Sequence, residues 1–338
     1  MRPIAPSGVA VTRLASIRVA NVVAAAGLPS DTPLERMSSV TNEVWRTPDF
    51  IIRINRKPDG RLRREAYISR HLPAEISYPK VMAISSNPES DWVITKRVSG
   101  RPLSRAWPKM SLEARRHAVT QIGGMLRTLH GTEFPTKIPD LEQPPQLIDP
   151  GYHNPTARLD AALGKLRRIA NVDNDLVDAI ARQVRNLSPS LKGVDATTFV
   201  HGDLTFENVL WDGQNVSSLI DFEWSRSGPA DLDLDILLRL AAYPFLHVAA
   251  DYEAETLAED YECVPEILEA CYPELWSTDG VVDRLVLYSI AYDVRALLRF
   301  PPKDHASRLS EHHPVNRLRR TLADTSHVHE FLNAGFSL

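Results

Sequence analysis

The chain has 338 residues, enough for two modest lobes, and its 43% hydrophobic and 24% charged content is that of an ordinary soluble globular protein. A net charge of −4 argues against nucleic acid as a partner, because phosphate binding needs a concentrated basic face. No stretch approaches the roughly 20 apolar residues of a membrane helix, and the spacing of Cys263 and Cys271 fits neither a disulfide framework nor a zinc site, so we expect a cytoplasmic protein without membrane contact.

The N-terminal part of the chain predicts a helix and then a β-hairpin. An amphipathic helix ends at Gly27, and polar and charged residues interrupt its apolar segment, which argues against a signal peptide. Two β-rich stretches follow, Val44–Thr47 and Phe50–Ile54. The Pro48-Asp49 pair between them is a turn signal, so the two stretches are predicted to pair as a hairpin.

Two further strands complete the predicted N-terminal sheet. Residues 61–72 predict a helix, and Val81–Ser85 and Trp92–Val98 predict strands. With the hairpin, these four stretches would belong to a five-stranded antiparallel sheet. Glycine and proline at 100–102 mark a crossing into the second region. An order of strands first and helices afterwards is typical of the α+β class.

The middle of the chain predicts helices. Ser111 can cap a helix that runs to His130, because apolar residues recur along it at helical spacing. We interpret His130 as structural rather than catalytic. A proline-rich connection follows, and two more helices are predicted around residues 155–169 and 175–187.

The most informative stretch is residues 199–235. Asp203 stands five residues before Asn208, and Asp221 follows Asn208 by thirteen residues. An Asp-Gly turn signal separates the strand after Asn208 from a second strand over Ser217–Phe222. The hairpin formed in this way would return the chain and place three oxygen-bearing side chains around one small volume.

Phosphoryl transfer is the chemistry that needs this set of side chains. The protein kinase signature, H-R-D-x-x-x-x-N followed by D-F-G, is written here as HGDLTFEN and DFE. Mg²⁺ prefers hard oxygen ligands and shares them with nucleotide phosphates, which suits Asn208 and Asp221. A separate carboxylate, Asp203, would then accept or orient the proton of the acceptor hydroxyl.

These residues resemble the aminoglycoside phosphotransferase family, the kinase-like small-molecule kinases that also include choline kinases and homoserine-kinase-like enzymes. Gly202, where protein kinases usually carry arginine, is typical of that family, and so is the run of Gly228, Pro229 and Asp231. The resemblance implies a bilobal, protein-kinase-like α+β fold. A nucleotide-binding lobe with an antiparallel sheet would span residues 1–98, and a mainly helical catalytic and substrate-binding lobe would span 99–338.

The resemblance also implies roles in the first lobe. FIIRI lies where a kinase has its phosphate-binding lysine, so Arg53 would bind ATP phosphates and Glu65, twelve residues later, would pair with it. An exposed position on the strand remains the alternative for Arg53. The loop over residues 38–42 contains no glycine, so hydroxyl and amide groups would cover the phosphates. The candidate donors are Ser39, Thr41 and Asn42.

The linker between the lobes is implied to bind adenine. Backbone groups of Lys96 and Val98 would face the base, and ATP and Mg²⁺ are the implied cofactors. Beyond Asp221, a buried helix is predicted over Leu232–Tyr243. We expect the acids at its start to act mainly by stabilising the helix N-terminus. These acids are Asp231, Asp233 and Asp235.

Three functions are compatible with the sequence. The first is ATP-dependent phosphorylation of a hydroxyl on a small molecule, and the family likeness favours an aminoglycoside or another antibiotic. The second is a kinase of Ser or Thr in a peptide of a biosynthetic pathway, which would need an extended groove. The third is a non-catalytic ATP-binding scaffold, which would have no need of Asp203, Asn208 and Asp221 together.

Overall fold

The structure is a computed structural model, and it describes residues 8–39, 42–87, 89–135, 138, 146–150 and 153–335. Thr41, one of the candidate loop donors, lies outside these ranges. The strands are β1 Glu35–Met37, β2 Glu43–Arg46, β3 Phe50–Asn55, β4 Val81–Ile84, β5 Asp91–Lys96, β6 Arg101–Pro102, β7 Phe199–Val200, β8 Val209–Trp211, β9 Val216–Leu219 and β10 Arg226–Ser227. The helices are α1 Gly8–Ala25, α2 Arg61–Ile68, α3 Leu103–Ala106, α4 Leu112–His130, α5 Ala157–Leu166, α6 Asn174–Leu187, α7 Asp231–Ala242, α8 Cys263–Cys271, α9 Val281–Arg299, α10 Pro314–Leu322 and α11 His327–Asn333.

Strands β1 to β5 form the predicted five-stranded antiparallel sheet, in the order β1-β2-β3-β5-β4. Side chains alternate between the faces of a strand. Ile52 and Ile54 therefore share a face, where they pack in one cluster with residues of α1 and are 0% and 5% exposed. Burying each of these side chains contributes about 1.5–3 kcal/mol. Arg53 lies on the opposite face, as its place in the strand predicts.

Helix α2 packs on the face of the sheet that carries Arg53. Its residues Leu62 and Ala66 form a small buried cluster with Val93, which lies directly opposite Arg53 in the sheet. The α-helix ends at Ile68 rather than at the predicted residue 72, and a short 3₁₀ turn follows. Leu72 precedes a proline and is extended, because the proline ring disfavours helical backbone in the residue before it.

The second lobe is mainly helical, as predicted. Helix α4 begins after Ser111, whose hydroxyl accepts the N–H of Ala114 at 3.2 Å, and it ends at His130. The two helices predicted next are α5 and α6, with bounds that differ from the prediction by at most three residues. Helices α4, α7 and α9 contribute to one large apolar core.

We call residues 199–227 the catalytic segment, after the role predicted for Asp203, and this segment contains a hairpin of β8 and β9. Val209 pairs with Leu219, so Asn208 and Ile220 flank the same end of the ladder. The second strand ends at Leu219, three residues before the predicted Phe222. The reason is Asp221, whose φ of 66° is left-handed and incompatible with a strand; a 3₁₀ turn follows it.

Two further observations concern membrane-spanning helices and the two cysteines. Within the described ranges, no helix is both long enough and apolar enough to cross a membrane. Cys263 and Cys271 are free, partly buried thiols.

Candidate active site

Asp233 fixes the backbone of the catalytic segment. Its two carboxylate oxygens accept the backbone N–H groups of His201 and Gly202, each at 2.8 Å, and the side chain is fully buried. His130 lies 3.1 Å from the same carboxylate and 3.1 Å from the hydroxyl of Tyr272. Burial acts to raise the pKa of Asp233, but the interactions with His130, His201 and the N–H of Gly202 together outweigh burial and lower the pKa. His130 therefore has a structural role, as predicted.

The acids at the start of α7 have more specific partners than the sequence suggested. Asp231 pairs with buried Arg284 at 2.6 Å, and Asp235 pairs with buried Arg239 at 2.9 Å. The contacts of Asp231 and Asp233 join α7 to distant parts of the chain, whereas the pair of Asp235 and Arg239 lies within the helix. The expectation that these acids act mainly at the helix N-terminus is therefore corrected.

His201 links the two halves of the motif. Its Nε2 lies 3.0 Å from the carbonyl of Ile220, its Nδ1 lies 3.3 Å from the N–H of Asp203, and its ring packs on Phe222 with centroids 4.3 Å apart. Burial lowers the pKa of His201. The neutral ring with its proton on Nε2 satisfies both bonds, so His201 links the backbone at Asp203 to the backbone at Ile220.

Asp203 has the properties of a base that works near neutral pH. The side-chain amide of Asn208 donates to the backbone carbonyl of Asp203 at 2.8 Å, which fixes the loop between them. Burial, and then the nearby charge of Asp221, raise the pKa of Asp203 to about 7. A carboxylate poised in this range can exchange a proton with an acceptor hydroxyl.

The β8–β9 hairpin brings the two predicted metal ligands to adjacent positions. The N–H of Ile220 donates to the carbonyl of Asn208 at 2.9 Å, and Asp221 is the next residue. The left-handed backbone of Asp221 is an uncommon conformation outside glycine, and such residues concentrate at functional sites. Asn208 therefore lies opposite Ile220, the residue that precedes Asp221.

Arg53 bridges the sheet, helix α2 and the catalytic segment. Its Nη1 contacts both carboxylate oxygens of Glu65, at 2.8 and 2.7 Å, and its Nη2 contacts Asp221 at 2.6 Å. Glu65 is fully buried and also accepts from the hydroxyl of Tyr78 at 2.8 Å and the N–H of Phe222 at 3.1 Å. Burial raises the pKa of Glu65, and the charge of Arg53 opposes that shift.

Glu223 is a site residue that the sequence reading missed. This buried carboxylate accepts from Arg61 at 3.1 Å and from Asn42 at 3.2 Å, and it lies 3.7 Å from Arg53. Burial, and then the charge of Asp221, raise its pKa. The available signal was the acid in DFE, two residues after Asp221.

The carboxylates around Arg53 are chemically suited to a divalent cation. One oxygen each from Glu65, Asp221 and Glu223 lies within 4.8 Å of the others. These are hard oxygen donors of the kind that Mg²⁺ prefers, and Asn208 can add an amide oxygen. The donor set therefore fits Mg²⁺, although Arg53 already offsets part of its negative charge.

The predicted loop and linker residues have the following surroundings in the structure. Asn42 is buried, and its Oδ1 has no partner among the described residues, whereas Ser39 donates to the carbonyl of Asn42. Lys96 ends β5, and its N–H donates to the carbonyl of Lys80 at 2.8 Å, which leaves other backbone groups of Lys96 and Val98 as the candidates to face adenine. The nucleotide-binding roles of these four residues remain predictions.

Gly202 is required by the close approach of two backbone segments. Its φ is 79°, and a Cβ at this position would lie 2.5 Å from the carbonyl oxygen of Trp224. We expect Gly202→Ala to lower the melting temperature and the activity, because both the backbone and the contact would be strained. Gly124→Ala is the control, since its Cβ would meet nothing within 4 Å, and it should leave the melting temperature equal or higher. Equal melting temperatures for the two variants would contradict this reading.

Solved structures share this fold. An ADP-bound aminoglycoside phosphotransferase, APH(2'')-Ib, is 14% identical, with coverage of 92% of this chain and 98% of its own and a TM-score of 0.59. A choline/ethanolamine kinase family protein from Mesorhizobium loti is 18% identical, with coverage of 95% and 100% and a TM-score of 0.57. A variant of APH(4)-Ia in complex with ADP and hygromycin B is 16% identical, with coverage of 90% and 97% and a TM-score of 0.57. The likeness confirms the bilobal kinase-like α+β fold.

Comparison with family models gives a match over most of the chain. The model of the phosphotransferase enzyme family matches residues 34–267, which include β1 to β5, the catalytic segment and α7. No curated protein matches the chain. The match covers more than half of the sequence and contains every site residue predicted from the sequence, so the chain belongs to the phosphotransferase enzyme family.

Proposed function

We propose that this protein transfers the γ-phosphate of ATP to a hydroxyl group of a small molecule in the cytoplasm. The observation that carries the proposal is the contact of Arg53 with Glu65 on one side and Asp221 on the other. This contact joins the two proposed lobes, residues 1–98 and 99–338, at the place where the phosphates of a nucleotide would lie.

The chain's own residues account for the steps of the transfer. Arg53 would bind the phosphates of ATP, and Asp203 would orient the acceptor hydroxyl. The hydroxyl oxygen forms a bond to the γ-phosphorus while the bond from that phosphorus to the bridging oxygen breaks, ADP leaves, and the hydroxyl proton passes to Asp203. Asn208 and Asp221 would hold Mg²⁺, which would neutralise charge on the phosphate oxygens.

Two observations favour this function over the alternatives. Asp203, the proposed base, lines a cavity between α7 and α9. A cavity of this kind suits a small molecule better than an extended peptide. A scaffold that only binds ATP has no use for a carboxylate such as that of Asp203, which follows β7 and has a pKa of about 7. The family likeness alone favours an aminoglycoside or another antibiotic as the acceptor.

Labelled transfer and metal dependence test the proposal together. With γ-labelled ATP, we expect Mg²⁺-dependent transfer of label to a hydroxyl compound from a mixed panel of sugars, amino alcohols and antibiotics. Asp221→Asn and Asn208→Ala should weaken Mg²⁺-dependent nucleotide binding and transfer, since each variant removes one proposed oxygen ligand. Titration calorimetry measures the binding.

The control is Asp304→Asn, a matched change at an exposed position outside the site. It should leave both measurements as in the wild type. Undisturbed ATP–Mg²⁺ binding in both site variants would refute the metal assignment. Absence of nucleotide binding by the wild type would refute the proposed function.

A further inference from the structure

The cavity beside Asp203 carries information about the acceptor. Its walls come from α7, α9, the catalytic segment and residues 146–148. Asp203 and Gly202 are among the residues that line it, so a molecule in this cavity can present a hydroxyl to the proposed base. The side chains that line it would therefore select the acceptor.

The charge of the cavity lining is mainly positive. Arg226, Arg239 and Arg295 all line it, against the carboxylates of Asp203 and Asp235. Asp235 is already paired with Arg239, whose Nη2 contacts its two oxygens at 2.9 and 3.0 Å. Besides this ion pair, the guanidinium groups of Arg226 and Arg295 line the cavity. Asp203 is the only other carboxylate among its described lining residues.

Arg239 adds a second, independent observation. The residue is 1% exposed, and its Nε and Nη1 have no hydrogen-bond partner among the described residues, although both atoms are buried. The same is true of Nε2 of His247, which also lines the cavity. A buried donor without a partner costs about 1–3 kcal/mol, and more when the group is charged, so a ligand that supplies acceptors would recover this cost.

Tyr292 aligns two of the three cations. The guanidinium of Arg239 lies 4.1 Å from the centroid of its ring, and that of Arg295 lies 5.3 Å from the same ring. Arg295 also lies 5.7 Å from the centroid of Trp224 and is exposed. An aromatic face attracts guanidinium groups and limits their movement, so these cations are prepared for a ligand.

We infer that the acceptor is a small hydroxylated anion, with a carboxylate or phosphate group bound by Arg239 and Arg295 and a hydroxyl directed at Asp203. This inference rests on the proposed function. Guanidinium groups are suited to carboxylate and phosphate, which they bind through paired N–H donors. A polycation such as an aminoglycoside would meet like charges here, at a cost in affinity. The cavity therefore argues against the acceptor that family likeness alone favours.

Four compounds with similar hydroxyl groups and different charges test the inference. D-Gluconate, D-glucitol and D-glucamine differ mainly in carrying a carboxylate, an alcohol or an ammonium group, and D-glucitol 6-phosphate provides the phosphate case. ADP formation is measured with saturating Mg²⁺–ATP. We expect gluconate or glucitol 6-phosphate to stimulate it at least fivefold more than glucitol or glucamine, and the better of the two identifies the anionic group. Equal rates with all four compounds, at any level, would overturn the inference.

Variants in the cavity then assign the residues. Arg295→Gln should raise the KM of the preferred anion about tenfold, which corresponds to the loss of one charge-assisted contact. Arg239→Gln should have a similar effect, and circular dichroism shows whether that buried variant is folded. Arg299→Gln, an exposed change one turn further along α9, is the control and should leave the KM unchanged. A KM unchanged by Arg295→Gln would overturn the assignment.

Failure of this inference is distinguishable from failure of the proposed function. If kanamycin or glucamine is phosphorylated faster than the anions, and Asp203→Ala abolishes that activity, the proposed function stands and the anionic acceptor is wrong. If titration calorimetry detects no binding of Mg²⁺–ATP to the wild type, the proposed function fails, and this inference fails with it.

Discussion

Replacement of Asp203 by alanine should lower turnover by roughly 10²–10⁴, the usual contribution of a positioned base. The affinity for Mg²⁺–ATP should change little, because this carboxylate lines the cavity beside α7 and α9 and makes no hydrogen bond or ion pair with the described part of residues 1–98. Steady-state kinetics and titration calorimetry measure the two quantities separately. Turnover within threefold of the wild type would exclude the assigned role.

The pH profile gives a second test of the same residue. Burial and the charge of Asp221 raise the pKa of Asp203 to about 7, so the carboxylate that accepts the proton is formed only as the pH rises through that value. We expect kcat/KM to increase with pH, to reach half its limiting value near pH 7 and to level off above it. A profile that is flat from pH 5.5 to 8.5 would contradict the raised pKa.

Stability should move in the opposite direction to activity. A carboxyl whose pKa is higher in the folded state than in the unfolded state binds more protons when folded, so its ionisation destabilises the fold as the pH rises from about 4 to 7. Asp203→Ala should therefore be at least as stable as the wild type at pH 8. The exposed control Asp304→Ala should alter neither activity nor stability. A large fall in the melting temperature of Asp203→Ala would show that the residue supports the fold.

The local patterns of the sequence were sufficient for most of the fold. Alternation in FIIRI correctly separates Ile52 and Ile54 from Arg53, and the spacing of apolar residues correctly predicts α4 with its cap at Ser111. The Asp-Gly turn signal between two short strands correctly predicts the hairpin that brings Asn208 and Asp221 to one end of a ladder. These features depend on neighbours within about twenty residues, which is why a sequence pattern contains them.

The features that the sequence did not predict depend on distant partners. Asp233 resembles any acid in the first turn of a helix, and only its position beneath His201 and Gly202 gives it another role. Glu223 becomes a site residue because Arg61 and Asn42 from the other lobe reach it. The unpaired nitrogen atoms of Arg239 could not be foreseen, since Asp235 at one turn's distance suggests an ordinary ion pair on the helix surface.

The pairing of Arg53 with Glu65 was implied by resemblance, and the structure contains this contact. Arg53 is 13% exposed in its side chain and Glu65 is fully buried, so the pair lies largely away from water. Each residue also has a partner in the catalytic segment, Asp221 for Arg53 and the N–H of Phe222 for Glu65. A change in either residue should therefore affect both lobes, whereas a residue on an exposed strand would affect neither.

Arg53→Ala should raise the KM for ATP and lower kcat, with a combined loss of roughly 10²–10³ in kcat/KM. The variant would lose two charge-assisted contacts with the phosphates of ATP, at about 1.5–3 kcal/mol each. Part of this energy stabilises the ground state and the rest stabilises the transition state, so both KM and kcat should change. Arg53→Lys should recover part of both losses, because lysine keeps the charge but lacks the second donor that reaches Asp221. Kinetics over an ATP concentration series measure both parameters.

The control is Arg46→Ala in the neighbouring strand of the same sheet. Arg46 pairs with Glu35 at a site where the side chains are 37% and 63% exposed, so this ion pair contributes at most about 1 kcal/mol to stability. Arg46→Ala should leave the ATP dependence as in the wild type. The same effect in Arg46→Ala and Arg53→Ala would indicate a general weakening of the sheet.

The double mutant of Arg53 and Glu65 decides whether the residues act as one unit. Glu65→Gln is the suitable partner change, because the amide keeps the shape of the side chain and can still accept from Tyr78 or Phe222. Removing either charge leaves the other buried without compensation, which costs about 3–5 kcal/mol, so melting temperatures must be recorded beside the kinetics. If the pair positions the phosphates jointly, the double mutant should be little worse in kcat/KM than the more affected single variant. Fully additive losses, or a normal ATP dependence in Arg53→Ala, would return Arg53 to the alternative of a solvated residue on the strand.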